Sequence, residues 1–438
     1  MTQHLTADEA AALLLPTDSI GMPLGPGQPP AFLEALGRRS DWEHLRIGGA
    51  LLTVLTDLFS HPNVHYLSGF FGPLERLLRD SGANIGFAPA DFRRFTPILE
   101  ADPPRVMTTA AAPPDADGRV SLSLHAGASV GQIRQASADP ERLLVVEVSP
   151  AFPRTYGAGD YVHSVHLDEI DVVIESDKAP IVTEDPPPTD TDRAIAEHVR
   201  AFVPDGATLQ TGIGAVPSMV ASLLAEGVCG EYGVHSEMFT TGLMRLHQAG
   251  KVTNQKGIFD GVSVATFAAG TRELYDWLHE NHEVAFLPVV LVNSPEAIAR
   301  NRAMVTINAA MSVDIQGQVI ADTINAVQYS GIGGHEDFVS GPALALDDCS
   351  LLCLPATITL GDQLHSRIVP WFQAGAVITT PRHQVDVIVT EYGAAELQGK
   401  TVHQRGDALA NIAHPAFREG LREAAERASH GRSPFPPA

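Results

Sequence analysis

Cysteine is scarce in this sequence. Only three of the 438 residues are cysteines, Cys229, Cys349 and Cys353. They are too few and too scattered for a disulfide framework, and the closest pair lacks the second ligand pair that a zinc site requires. None of the 18 histidines falls in an HExxH arrangement. We therefore expect a reduced, cytoplasmic location and no metal ion.

Basic residues and long apolar runs are also lacking. The 29 lysines and arginines face 52 acidic residues, which gives a formal net charge of −23 at pH 7. This balance argues against a nucleic-acid partner, which would need a basic face. No stretch approaches the roughly 20 apolar residues of a membrane helix, and the acidic start does not resemble a secretory signal. We therefore expect neither nucleic acid nor membrane as a partner.

Apolar residues, in contrast, make up 44% of the chain, and its length favours two domains. A proline-rich, acidic segment over residues 179–192 indicates a linker between domains at 1–178 and 193–438. Short apolar runs alternate with helical patterns on both sides of it. The sequence therefore predicts an α/β fold with mainly parallel sheets that are covered on both faces.

A G-x-G-x-x-P pattern occurs in each half, at residues 25–30 and 212–217, and helical periodicity follows each copy. Proline suits the first turn of a helix. The repetition indicates two similar α/β halves. In such folds ligands bind at loops beyond the carboxyl ends of the strands.

Several of these loops carry motifs that resemble the acetyl-CoA hydrolase / 4-hydroxybutyrate CoA-transferase family. The match is thinner in the first half, and the second-half stretches are GIGAVP (212–217), GVHSEMFTTG (233–242), GKVTNQK (250–256), FAAGTRELY (267–275), MVTINAAMSVDIQGQ (304–318), YSGIGGHEDF (329–338), SRIVP (366–370), VDVIVTEYGAAELQG (385–399) and IAHPAF (412–417). The resemblance implies two CoA-transferase-like domains with the active site between them. It also implies coenzyme A bound as an acyl-CoA thioester, and no metal or redox cofactor. We further expect a homo-oligomer, such as a dimer.

The resemblance places the nucleophilic glutamate of the family's transferases in the segment 308–318, at the position of Ser312. Alternation along a single strand would put Asn308, Ser312 and Asp314 on one face, with Asn308 as a substrate contact. Serine cannot form the acyl anhydride or the glutamyl-CoA thioester of those transferases. Ser312 would instead act as a nucleophile or only as a hydrogen-bonding group, and a degenerate, inactive protein is a third interpretation.

A serine nucleophile needs a base, and the candidates are His335 and His235, the latter also a candidate substrate contact. Glu336, beside the glycine loop, is an alternative nucleophile or a general base for water. Glu237 is expected to orient its own loop rather than to perform chemistry.

Backbone and basic groups are the candidates for binding coenzyme A. A glycine loop, whose N–H groups could approach the thioester closely, consists of Gly331, Ile332, Gly333 and Gly334. The resemblance implies that the N–H group of Gly393 lies in an oxyanion hole. Lys256 and Arg367 could offer positive charge to the phosphates or to a substrate carboxylate.

Three functions follow from these residues. The simplest is acyl-CoA hydrolysis, or a related acyl-CoA reaction, without a glutamyl-CoA intermediate. The first alternative is CoA transfer to a carboxylate of the acetate or 4-hydroxybutyrate type, through another carboxylate such as Glu336. The second is non-catalytic binding of acyl-CoA.

Overall fold

The computed structural model describes residues 2–344 and 347–430, and two large sheets organise them. The strands are β1 Gln3–Leu5, β2 Ser19–Gly21, β3 Leu45–Gly49, β4 Val64–Ser68, β5 Ile85–Phe87, β6 Val106–Ala111, β7 Arg119–Ser121, β8 Leu143–Val148, β9 Ser164–His166, β10 Val172–Glu175, β11 Thr208–Thr211, β12 Gly233–Val234, β13 Met238–Phe239, β14 Ser263–Ala265, β15 Phe267–Ala268, β16 Val284–Phe286, β17 Met304–Ala309, β18 Ser312–Asp314, β19 Val319–Ile320, β20 Thr323–Ile324, β21 Val327–Gln328, β22 Cys349–Cys353, β23 Thr357–Leu360, β24 Gln363–Ser366, β25 Ile368–Val369, β26 Val387–Thr390 and β27 Gly393–Glu396.

Helices alternate with these strands in both halves of the chain. They are α1 Ala7–Ala12, α2 Pro30–Gly37, α3 Pro73–Asp80, α4 Phe95–Ala101, α5 Val130–Ala138, α6 Asp190–Arg200, α7 Ala215–Glu226, α8 Thr241–Gln248, α9 Arg272–Leu278, α10 Val289–Val292, α11 Pro295–Ala299, α12 His335–Ser340, α13 Val402–Ile412 and α14 Arg418–Ser429. Within the described ranges no helix is long and apolar enough to cross a membrane. The same ranges hold no group of three or more side chains that could bind a metal ion.

The first sheet has eight strands in the order β1-β10-β8-β6-β2-β3-β4-β5, and all neighbours are parallel. Its central strands are largely apolar and buried, as β6 and β8 show, because a parallel sheet is covered on both faces. The chain adds strands in opposite directions on either side of the β6–β2 boundary. That boundary is the topological switch point of the sheet.

The second sheet has six strands in the order β12-β11-β17-β22-β26-β27. All pairs are parallel except β26 and β27, which form an antiparallel edge. Its switch point lies between β11 and β17. The predicted α/β fold with mainly parallel sheets is therefore confirmed.

The two G-x-G-x-x-P turns follow β2 and β11, one strand beside each switch point. The first leads into α2, whose first residue is Pro30. The second leads into α7 through Gly214, whose φ of 118° lies in the region that favours glycine. Both turns open helices as predicted, and their equivalent places support the interpretation of two similar halves.

The halves are joined by residues 176–189, which contain no helix or strand. This segment is tied to the second half: the backbone N–H group of Thr183 donates to the carbonyl of Gly270 at 2.9 Å. The largest group of buried apolar side chains contains members from both halves, among them Leu124, Val146, Leu209 and Phe286. The predicted domain boundaries remain a prediction, but this largest cluster crosses from one half to the other, although each half also has a cluster of its own.

The expectation of one continuous strand through Asn308 and Ser312 is wrong. Strand β17 ends at Ala309, and the chain then leaves the large sheet. Ser312 begins β18, which pairs with β19 and β25 in a separate three-stranded sheet. Asn308 and Ser312 therefore lie in different sheets and do not share a face.

Candidate active site

A cavity of about 350 Å³ lies where the switch points of the two sheets meet. The first half contributes residues that follow β2, β3 and β4, including Leu24, Leu51 and Phe70. The second half contributes Gly212 after β11 and Asn308 at the end of β17. Both sheets thus present the carboxyl ends of their strands to one site, which is the expected place for a ligand.

Most of the cavity wall is apolar. Phe92, Phe95 and Leu99 from the first half pack with Met238 and Phe267 from the second. A concave, largely apolar site with few polar groups is typical of small-molecule binding. This wall suits an apolar part of a small ligand.

Among the described residues that line the cavity, Glu237 is the only acidic one. It follows β12 and is partly buried. The side-chain amide of Asn293 donates to its Oε2 atom at 2.6 Å. Burial raises the pKa of Glu237 to about 8; the hydrogen bond from Asn293 opposes this rise, and the nearby Asp337 carboxylate adds to it.

A chain of polar contacts connects Glu237 to the first half. The amide of Asn293 also donates to Asp337 Oδ2 at 3.1 Å. The other oxygen of Asp337 accepts a hydrogen bond from Arg93 Nε at 2.5 Å, and Arg93 belongs to the first half. Burial raises the pKa of Asp337 to about 6, and Arg93 opposes that rise. The orientation of Glu237 thus depends on contacts from both halves.

The predicted glycine loop lies against these groups. Ile332, Gly333 and Gly334 line the cavity. A Cβ atom on Gly334 would overlap the Glu237 carboxylate, and one on Gly331 would lie 2.6 Å from the Phe70 ring. Glycine is required here because the backbone approaches both the carboxylate and the first half closely.

Two further predicted residues reach the cavity. Asn308 lines it and exchanges hydrogen bonds of 3.3 Å with Gln210. His335 lines it with its Nε2 atom 2.9 Å from Thr380 Oγ1. Burial lowers the pKa of His335 to about 4, so its ring is neutral at physiological pH.

Ser312 and Arg367 do not line the cavity. The Ser312 hydroxyl donates to the backbone carbonyl of Arg367 at 2.7 Å. The Arg367 guanidinium lies 3.3 Å from the carbonyl of Met311, and burial lowers its pKa. Both side chains therefore connect two strands of the small sheet rather than face the cavity.

His235 and Lys256 lie in the interior. His235 contacts the carbonyl of Val292 at 2.8 Å and the amide of Asn301 at 3.1 Å. The Lys256 ammonium donates to two backbone carbonyls, that of Val262 at 2.6 Å. Burial lowers the pKa of His235 to about 4 and that of Lys256 to about 8. The structure does not bring either residue to the cavity.

Glu336 and Gly393 also lie outside the cavity lining. Glu336 accepts a hydrogen bond from Thr380, and burial raises the pKa of Glu336 to about 7. Gly393 begins β27, the antiparallel edge strand of the second sheet, with a φ of 138°. Glu237, in contrast, was expected only to orient its loop. Its place in a family-like segment, in the short loop between β12 and β13, was the signal that could have pointed to it.

Comparison with known proteins agrees with this architecture. The profile of the acetyl-CoA hydrolase/transferase C-terminal domain matches residues 270–425. The succinyl-CoA:cyclohexane-1-carboxylate CoA transferase of Geobacter metallireducens is 35% identical over 425 residues, 96% of this chain and 94% of the relative. The chain belongs to the acetyl-CoA hydrolase/transferase family.

Other members support this assignment. The 4-hydroxybutyrate coenzyme A transferase of Clostridium kluyveri is 40% identical over 286 residues, 65% of each chain. The crystal structure of RipA from Yersinia pestis superposes with a TM-score of 0.89 at 30% identity and covers 98% of each chain. The predicted family and its CoA-transferase fold are therefore confirmed, and the protein is an enzyme of this family.

Proposed function

We propose that this enzyme transfers coenzyme A from an acyl-CoA to a second carboxylate, with Glu237 as the covalent nucleophile. The observation that carries the proposal is the position of Glu237 as the acidic residue in the wall of the cavity, among the residues that the structure describes. A carboxylate nucleophile suits CoA transfer because it forms a thioester of similar energy to the substrate, so both half-reactions are reversible.

In the first half-reaction, an oxygen of ionised Glu237 attacks the thioester carbonyl carbon. The carbon–sulfur bond breaks, CoA leaves as a thiolate, and an acyl-glutamyl anhydride forms. The thiolate then attacks the Glu237 carbonyl carbon of the anhydride. This step releases the first acyl group as a carboxylate and leaves Glu237 as its CoA thioester.

In the second half-reaction, the incoming carboxylate attacks the glutamyl-CoA thioester, and the thiolate leaves again. The thiolate then attacks the acyl carbonyl of the new anhydride. A new acyl-CoA is released, and the Glu237 carboxylate is restored. No net proton transfer is needed, so the neutral state of His335 is compatible with the cycle.

The surroundings of Glu237 support this chemistry. Asn293 fixes one carboxylate oxygen at 2.6 Å, which leaves the other free to attack. The glycine loop lets backbone N–H groups approach the carbonyl oxygen that becomes negatively charged, where such donors stabilise the transition state. Hydrolysis through Ser312 and transfer through Glu336 are less well supported, because neither side chain lines the cavity.

The test is to trap the enzyme–CoA thioester. The protein is incubated with an acyl-CoA and then with borohydride, which reduces a protein thioester to an alcohol. Peptide mass spectrometry should locate the alcohol at Glu237. In parallel, acetyl-CoA should form from another acyl-CoA only when acetate is present.

Two variants sharpen this test. Glu237→Gln keeps the shape of the side chain but removes the nucleophile, so transfer should fall by at least about 1,000-fold. Glu336→Gln is the matched control and should remain active. Labelling at another carboxylate, or acetate-independent release of free CoA as the only product, would contradict the proposal.

A further inference from the structure

Two polar side chains interrupt the apolar wall of the cavity without a visible partner. His125 and Ser129 both line the cavity and come from the loop between β7 and α5. They are 2% and 3% exposed. Neither the two ring nitrogens of His125 nor the Ser129 hydroxyl has a hydrogen-bond partner among the described residues. Buried polar atoms are usually paired, and these three belong to side chains that line the cavity, so they are available to a ligand there.

Two glycines leave room for the His125 side chain because they lack a Cβ atom. A Cβ atom on Gly127 would overlap the ring, and one on Gly27 would lie 2.9 Å from His125 Cβ. The backbone of the following residue, Ala126, donates to the carbonyl of Thr266 at 2.8 Å. The ring therefore occupies a space that the surrounding backbone leaves for it.

Ser129 occupies the N-cap position of α5, where a serine side chain usually accepts a hydrogen bond from the first turn. Here the side chain forms no such bond. Because the hydroxyl does not serve the helix, it remains available to a group in the cavity.

The two side chains lie within reach of a short acyl group that reacts at Glu237. Phe267 pairs with Met238, the neighbour of Glu237, on one side and with His125 on the other. Adjacent strands are about 4.8 Å apart, so the backbones of Met238 and His125 are separated by roughly 10 Å. The side chains of Glu237 and His125 fill part of this distance. The remaining space between them suits an acyl chain of a few carbons.

We propose that His125 and Ser129 bind a neutral oxygen, a hydroxyl or a keto group, on the acyl chain of the substrate. The proposal rests on the proposed function, because it requires the acyl group to occupy this cavity. Neutral imidazole and a serine hydroxyl each offer one donor and an acceptor, which matches a hydroxyl group. Burial also lowers the pKa of His125 to about 3, which keeps the ring neutral.

A second carboxylate on the acyl chain does not fit this site. Among the described residues that line the cavity there is no lysine or arginine. A buried carboxylate without a cationic partner is strongly unfavourable. The substrate class is therefore a short acyl-CoA with a neutral oxygen substituent rather than a dicarboxylic acyl-CoA.

The test compares kcat/KM for butyryl-CoA, 3-hydroxybutyryl-CoA, 4-hydroxybutyryl-CoA, acetoacetyl-CoA and succinyl-CoA with acetate as acceptor. At least one of the three neutral oxygenated esters should exceed butyryl-CoA by about tenfold or more, because a site with unpaired polar groups rejects the apolar analogue. His125→Leu and Ser129→Ala should each reduce this ratio towards one. Thr108→Val is the matched control, because Thr108 carries an equally buried, unpaired hydroxyl that does not line the cavity.

Three results would overturn the proposal: butyryl-CoA as good a substrate as the oxygenated esters, succinyl-CoA as the best substrate, or a preference that both variants retain.

Binding of the same esters to the Glu237→Gln chain, measured by calorimetry, gives a second readout that does not need turnover. Loss of the borohydride label with every ester would contradict the function of Glu237. A label without any preference among esters would contradict only the role of His125 and Ser129.

Discussion

Burial has two opposite effects on Glu237. It raises the pKa to about 8, which lowers the fraction of ionised carboxylate at neutral pH. Burial also removes water that would solvate the carboxylate and weaken it as a nucleophile. An acyl-CoA bound in the cavity would keep further water away from Glu237. Asn293 limits the first effect, because its hydrogen bond favours the charged form.

The pKa of Glu237 predicts the pH dependence of the first half-reaction. Only the ionised carboxylate attacks, so kcat/KM should rise as pH increases towards about 8 and level off above it. Asn293→Ala removes a contact that lowers the pKa and should move this rise to higher pH. Initial rates between about pH 5.5 and 9.5, a range that covers both sides of this pKa, provide the measurement. A rise that is complete below pH 6 in both proteins would contradict the assignment.

Ser312 should matter for stability rather than for turnover. Its hydroxyl contacts the carbonyl of Arg367 and does not line the cavity. Ser312→Ala should therefore keep kcat within about twofold and lose about 0.5–1.5 kcal/mol of unfolding free energy. Urea denaturation and acetate-dependent transfer assays measure the two quantities. A large loss of turnover in a variant of normal stability would restore Ser312 as a catalytic candidate.

The sequence predicts some residues of the site better than others. The glycine loop could be singled out because a glycine cluster is a local pattern, and three of its four residues, Ile332, Gly333 and Gly334, line the cavity. The importance of Glu237 is not local. It depends on Asn293, which lies 56 residues further along the chain, and on Asp337, which lies 44 residues beyond Asn293. No spacing or periodicity in the sequence shows that these side chains meet.

At the scale of elements, the same limit explains the wrong placement of Ser312. Alternation predicts which residues share a face only as long as the strand stays in one sheet. Ala310 and Met311 carry the chain from β17 to the small sheet, and nothing in their side chains indicates this departure. The parallel α/β class was predictable because several strands, such as β6, β8 and β26, are largely apolar, whereas the strand order depends on contacts distant in sequence.

The short helix Phe92–Arg94 connects the first half to the site through Arg93. Arg93→Ala leaves the buried Asp337 carboxylate without its cationic partner, so the protein should lose about 1–3 kcal/mol of unfolding free energy. Because Asp337 holds Asn293, which orients Glu237, kcat should fall by about tenfold or more. Arg93→Lys should restore part of both losses.

Arg94 is the matched control for this prediction. Its exposed guanidinium forms an ion pair with the partly buried Asp91 at 3.1 Å. Such pairs contribute only about 0–1 kcal/mol, so Arg94→Ala should leave stability and kcat nearly unchanged. Equal effects of the two alanine variants would show that Arg93 has no special connection to Glu237.

At the scale of the whole molecule, the predicted linker and the observed core favour different pictures. A proline-rich segment between two sheets is typical of domains that move independently. The shared apolar core, with members such as Val146 and Phe286, instead indicates that the halves fold onto each other. The cavity needs this arrangement because its wall takes residues from both halves.

This picture predicts that the connection at residues 186–188 can be broken without loss of function. Pro186, Pro187 and Pro188 are replaced by a protease recognition sequence, and the purified protein is cut there. Asp185 and Thr189, which bind Gly214 and cap α6, are left in place. The two fragments should still elute together and transfer CoA at a rate close to that of the uncut protein, because the buried contacts between the halves do not depend on the linker.

The uncut replacement protein is the control for the effect of the new sequence. Fragments that separate under native conditions would show instead that the linker, and not the shared core, holds the two halves of the active site together.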